Sequence, residues 1–199
     1  MEFAADLIPL WLKIAYTVIV LITVAVYVFK YPLGNFLWFS DIALIAIAIA
    51  LWLESALIVS MMAVGTLLPE LLWNVSFFGQ LVTGRHVSGL TDYMFDAHRP
   101  RYVRALSFFH VILPALTLWL IARLGYDARA LAAQTVLAWV VLVLSYSLTD
   151  PRNNVNWVFG LGAKPQRRIP PLIYLGLLMA GFPLVIHLPT HLLLQRFFG

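Results

Sequence analysis

The chain has 199 residues, 62% hydrophobic and only 11% charged, where a soluble domain carries roughly 25% charged, so a water-soluble globule is excluded. It has no cysteine, which removes disulfides and thiol chemistry. A net charge of +4 and a pI near 9.6 are not accompanied by any nucleic-acid-binding module, and the basic residues follow membrane topology instead.

The predicted elements are six apolar spans, roughly 7–29, 37–53, 56–82, 104–123, 130–148 and 171–194, since a span needs about 20 apolar residues. They predict an all-α, polytopic transmembrane bundle in a single domain over 1–199. The opening MEFAADL is acidic where a signal peptide is basic, so the first stretch reads as a retained span. Residues 36–82 are almost continuously apolar, broken only at Glu54-Ser55 and Pro69-Glu70. Placing the turn at Glu54 leaves two segments of spanning length. The third span is then long, and it is expected to tilt or to kink at Pro69. No internal repeat and no linker to a second domain is present.

The basic residues partition. Lys30, Arg85, Arg99, Arg101, Arg104, Arg152, Lys164, Arg167 and Arg168 fall on one side; Arg123, Arg129 and Arg196 fall on the other; Lys13 lies within the first span. The richer side is expected in the cytoplasm, with both termini outside.

With this topology several polar residues share a depth near the cytoplasmic end. Ser40 and Asp41 open span two, His110 lies about two turns into span four, Glu70 and Asn74 lie in the inner half of span three, and Tyr146 and Asp150 close span five. Asn153, Asn154 and Asn156 begin the loop that follows. Ionisable groups at membrane depth are costly and usually face the bundle interior. A carboxylate beside an imidazole fixes its tautomer and raises its basicity, so Asp41 and His110 suggest a general base, with Ser40 or water as nucleophile. Asn74 or Asn154 would supply amide donors to an oxyanion, and Glu70, Tyr146 and Asn156 would line the ligand pocket. The structural alternative has Ser40 or Asp41 capping span two, Asp41 paired with an arginine such as Arg104, and His110 bonded to a carbonyl. Pro114, four residues after His110, is expected to leave an acceptor near that histidine.

The loop around 92–102 mixes acids, arginines and aromatics, as topology anchors do and as headgroup-binding segments do. His187 and His191 share a helix face, with Glu54 a conceivable third metal ligand, but Pro189 stands between them and no other ligand type is near. No metal and no cofactor is assigned. Walker, G-x-G-x-x-G, HExxH and G-x-S-x-G motifs are absent.

The segments FLWFSDIAL (36–44), HVILP (110–114) and NNVNWVFGLGAKP (153–165) together resemble a family of uncharacterised bacterial integral membrane proteins. More distantly the chain resembles a superfamily of six-helix proteins that includes the androgen-induced and androgen-dependent intramembrane hydrolases of fatty-acid esters of hydroxy fatty acids, and related acyltransferase-like proteins. In those hydrolases a threonine early in span two and a histidine in span four carry the activity. His110 and Pro114 match the histidine's pattern, and Phe36, Leu37, Phe39 and Asp41 match the surround of the nucleophile. Trp38 stands where the hydrolases have threonine, and tryptophan cannot be a nucleophile. The resemblance covers about a quarter of the chain in short pieces. It implies a multi-pass protein of the bacterial cytoplasmic membrane that acts on lipid esters. A non-enzymatic binder or transporter of a small molecule or lipid, and a structural subunit of a membrane complex, are the competing readings. Membrane lipids are the expected partners, nucleic acid is not, and the sequence leaves homo-oligomerisation open.

Overall fold

The computed structural model describes residues 7–162 and 165–199. The N-terminal acidic segment and Lys164 of the basic tally lie outside the described residues. The long helices are α1 (Leu10–Lys30), α2 (Phe39–Leu53), α3 (Ala56–Thr83), α6 (Phe109–Leu124) and α7 (Ala130–Leu148), and the short α4 (Asp92–Phe95) and α5 (Arg101–Leu106) precede α6. The last span is α8 (Pro171–Gly181), a wide π-helical turn over Phe182–His187, and α9 (Leu188–Phe198). No strand occurs among the described residues.

Among the described residues, five helical stretches are long and apolar enough to cross a membrane: Leu10–Lys30, Ala56–Thr83, Arg101–Leu124, Ala130–Leu148 and Pro171–Phe198. The expected second span, α2, has only 15 residues. At 1.5 Å per residue it is about 22 Å long, short of a bilayer core of roughly 30 Å. A 3₁₀ turn over Leu33–Leu37 precedes it.

The turn between α2 and α3 falls where the apolar run was interrupted. Glu54 ends α2 in the left-handed conformation (φ 47°, ψ 43°), and Ser55 caps α3 by accepting a bond from the Ile58 amide. The helix α3 is continuous through Pro69 and occupies the centre, packing against α2, α6, α7 and the last span. Small side chains permit this close approach: Ala43, Ala50 and Ala63 are fully buried, and a Cβ on Gly65 would run into the Gln134 side chain of α7.

Proline inside a helix leaves the carbonyl four residues earlier without its amide partner. Two of these carbonyls receive a side chain from a neighbouring helix. The His110 carbonyl, freed by Pro114, accepts from Asn74 Nδ2 at 2.7 Å, and the Met179 carbonyl, freed by Pro183, accepts from Trp139 Nε1 at 2.7 Å. The freed carbonyls thus become cross-links between helices, which satisfies backbone groups that hydrocarbon could not.

Candidate functional site

Beside the shortened α2, a cavity of about 820 Å³ opens at the end of the bundle that carries the 83–100 and 149–170 loops. His110 forms one wall. Its Nδ1 lies 2.8 Å from Glu70 Oε2, with the side chains 13% and 3% exposed respectively. The ring stacks on Trp73 of α3 (centroids 4.6 Å apart, planes at 18°). Glu70, Trp73 and Asn74 occupy successive turns of α3 facing α6, so one helix face holds the imidazole by carboxylate, by ring stacking and by its own backbone carbonyl. With Glu70 ionised, Nδ1–H donates to it and Nε2 is left as an acceptor. That nitrogen has no hydrogen-bond partner among the described residues.

The carboxylate at His110 is therefore Glu70, where the sequence suggested Asp41. Asp41 lies in the first turn of α2, 5% exposed, and its Oδ2 accepts from Asn35 Nδ2 at 2.7 Å. It lines the same cavity, within electrostatic range of Glu70. It neither caps α2 nor meets Arg104, whose guanidinium donates to the Met94 carbonyl. Ser40, half-buried, also lines the cavity, and its hydroxyl makes no bond among the described residues.

The N-terminal end of α2 is capped from a distance. The Phe39 amide donates to Asn156 Oδ1 at 3.2 Å, while Asn156 Nδ2 donates to the Leu37 carbonyl and to Ser145 Oγ. Asn154 Nδ2 donates to the carbonyls of Gly160 and Gly162. The amides of Asn74, Asn154 and Asn156, expected to face a ligand, are thus spent on carbonyls and a hydroxyl that hold the cavity walls in place. Asn74 backs His110 from outside the lining. Tyr146 also lies outside the lining, stacked on Phe159 of the following loop (5.3 Å). The second and third amides of α2, those of Ser40 and Asp41, have no partner among the described residues.

The wall over 153–157 is strained. Asn154, Asn156 and Trp157 all have φ between 44° and 57°. Asparagine tolerates this region, but for a bulky tryptophan it is an outlier, costing about 1–3 kcal/mol. The asparagine bonds and the edge-on contact of Trp157 with Trp38 (5.8 Å) hold it there.

The sequence did not point to Asn35, Tyr93 or Arg152. Tyr93 accepts from Trp73 Nε1 at 3.2 Å, and burial pushes its phenol up to about 12. It therefore stays protonated and faces the cavity as a donor. The Arg152 guanidinium lines the rim with no partner among the described residues. The only available signals were Asn35 six residues before Asp41 and an arginine beside the asparagine run.

At the opposite end the histidines separate. His187 Nδ1 meets Thr135 Oγ1 at 3.2 Å, and His191 Nδ1 meets the Tyr126 hydroxyl at 2.6 Å. Glu54 is engaged by Lys13. Among the described residues no group of three metal-ligating side chains occurs.

No protein-family model matches the chain, and no curated protein or solved structure is significantly similar to it.

Proposed function

We propose that the protein is an intramembrane hydrolase or acyl transferase acting on a lipid ester, with His110 as general base and Glu70 as the group that orients it. The observation that carries this reading is the 2.8 Å His110–Glu70 contact, with the other ring nitrogen unclaimed beside a cavity that also takes Ser40. His110 Nε2 accepts a proton from the Ser40 hydroxyl or from water, and the oxygen so activated attacks the ester carbonyl. Glu70 stabilises the imidazolium, which returns its proton to the leaving alcohol. The unclaimed Ser40 and Asp41 amides, at the positive end of the α2 dipole, and the Tyr93 hydroxyl are donors for the developing oxyanion. The excess of Lys/Arg on the cavity side supports an opening toward the cytoplasm of a bacterial inner membrane.

The test is turnover of a long-chain fluorogenic ester by the purified chain in liposomes. His110→Ala is expected to abolish it while the protein still elutes as a folded species, and Ser40→Ala to remove labelling by a fluorophosphonate if serine is the nucleophile. Unchanged turnover in His110→Ala would end this reading.

A second reading rests on a different observation. Asp41 and Glu70 face one cavity with no Lys or Arg bonded to either among the described residues, as in proton-coupled carriers. It predicts proton-driven uptake that disappears in Asp41→Asn, without ester turnover.

A further inference from the structure

Outside this cavity, at the same end of the bundle, lies a second and smaller pocket of about 250 Å³ between α3 and α5. Its upper wall is Arg101 and Arg104, three residues apart on one face of α5 and so side by side. Its floor is Phe77, Leu81 and Phe108, with Phe95 closing one side. The rings pack on one another, Phe77–Phe95 at 5.6 Å and Phe77–Phe108 at 5.5 Å.

The charge here is uncompensated. Arg101 makes no bond among the described residues. Arg104 gives one nitrogen to the Met94 carbonyl at 2.9 Å, and its Nε is buried with no acceptor. The acids of the adjoining loop are engaged elsewhere, Asp92 with His86 at 2.8 Å and Asp96 with Arg99 at 3.8 Å. A buried guanidinium N–H without an acceptor is costly, and neighbouring guanidiniums suit phosphate oxygens, which they bind in a forked, charge-assisted geometry. Beside the pocket, α3 also exposes the apolar side chains of Phe78 and Val75. Paired arginines beside apolar rings, at the C-terminal end of α3 and next to α5, suit the phosphate and acyl chain of a phospholipid.

We infer that this pocket binds an anionic phospholipid, with the headgroup phosphate accepting from Arg101 and Arg104 and an acyl chain lying over Phe77, Leu81 and Phe108. Topology alone accounts for arginines near a membrane surface. It does not account for two arginines side by side at an aromatic-lined pocket with no acid bonded to either among the described residues. The site is separate from the His110 cavity and stands or falls independently of any turnover there.

The experiment is lipid binding to the full chain in neutral detergent, followed by native mass spectrometry and by thermal stability. The probes are dioleoyl phosphatidylglycerol, dioleoyl phosphatidylcholine and inorganic phosphate. Phosphatidylglycerol is expected to be retained and to raise the melting temperature, with phosphatidylcholine and phosphate weaker by at least about tenfold. Arg101→Gln, which removes no intramolecular bond, should lose most of that preference. Arg101→Gln/Arg104→Gln should abolish it, and Arg167→Gln/Arg168→Gln should keep it. Equal binding of phosphatidylcholine overturns the inference in favour of a merely apolar groove, and equal protection by inorganic phosphate overturns it in favour of a free-anion site. Unchanged preference in Arg101→Gln overturns it outright.

Discussion

The two ends of the bundle treat their acids differently. At the end away from the cavity, Glu54 accepts from the Lys13 ammonium at 2.9 Å and from the amides of Leu7 and Ile8, and Asp127 accepts from Arg129 at 2.7 Å. Hydrogen bonds from these cations hold both carboxyls below the usual carboxylate range. At the cavity end, Glu70 meets an imidazole and Asp41 a side-chain amide. Acids that close a turn or secure a helix end are neutralised by cations, whereas Glu70 and Asp41, facing the cavity, have an imidazole and a neutral amide as partners and no Lys or Arg bonded to either among the described residues. The difference separates groups that stabilise the fold from groups available for chemistry.

The comparison breaks most readily at His110. His110→Ala should lower ester turnover by about 10²–10⁴-fold, the usual worth of a general base, and Glu70→Gln should lower it less, because a neutral amide still orients the ring. Steady-state rates of the two variants against wild type check this order; a larger loss in Glu70→Gln would mean that the carboxylate, not the imidazole, is the base. Next in size is the wall that holds the cavity open. Asn156→Ala leaves the Phe39 amide, the Leu37 carbonyl and Ser145 Oγ without their partner, an expected loss of about 2–4 kcal/mol, read as a fall in melting temperature in detergent. Gly65→Ala at the centre of the bundle forces buried Gln134 aside and should cost about 1–3 kcal/mol without altering the cavity lining, so stability should fall while turnover per folded molecule holds. The smallest effect is at the far end. Because the folded-state pKa of Glu54 is depressed, its contribution is present above the unfolded carboxylate value of about 4.3 and is lost as pH falls through the lower folded value. Thermal melts of Glu54→Gln should therefore be less pH-sensitive in that acid window than wild type.

How much of this was legible varies by element. The turn at Glu54 could be read because an adjacent glutamate and serine divide the long, predominantly apolar stretch 36–82 into two segments of near-spanning length. Pro114 as the source of a free acceptor beside His110 was legible from the four-residue spacing, which is a property of any helix. That Glu70, forty residues away, would reach His110 was not legible. Depth along a span follows from counting residues, but azimuth follows from how α3 and α6 pack. Glu70 and Asn74 share a helix face, and that was the available clue. The asparagines of 153–156 looked like ligand donors because composition does not show which backbone carbonyls a loop must satisfy.

The sequence by itself determined the all-helical architecture, the approximate positions of its apolar helices and the end at which its polar residues collect, because hydrophobic length and the cost of charge in hydrocarbon act locally along the chain. The tertiary structure decided that His110 pairs with Glu70 and not Asp41, that α2 stops short and leaves room for a cavity, and that Asn156 caps a helix 117 residues away. Those outcomes depend on which faces the helices turn to one another, and that is set by side-chain packing across the whole bundle rather than by any single stretch of chain.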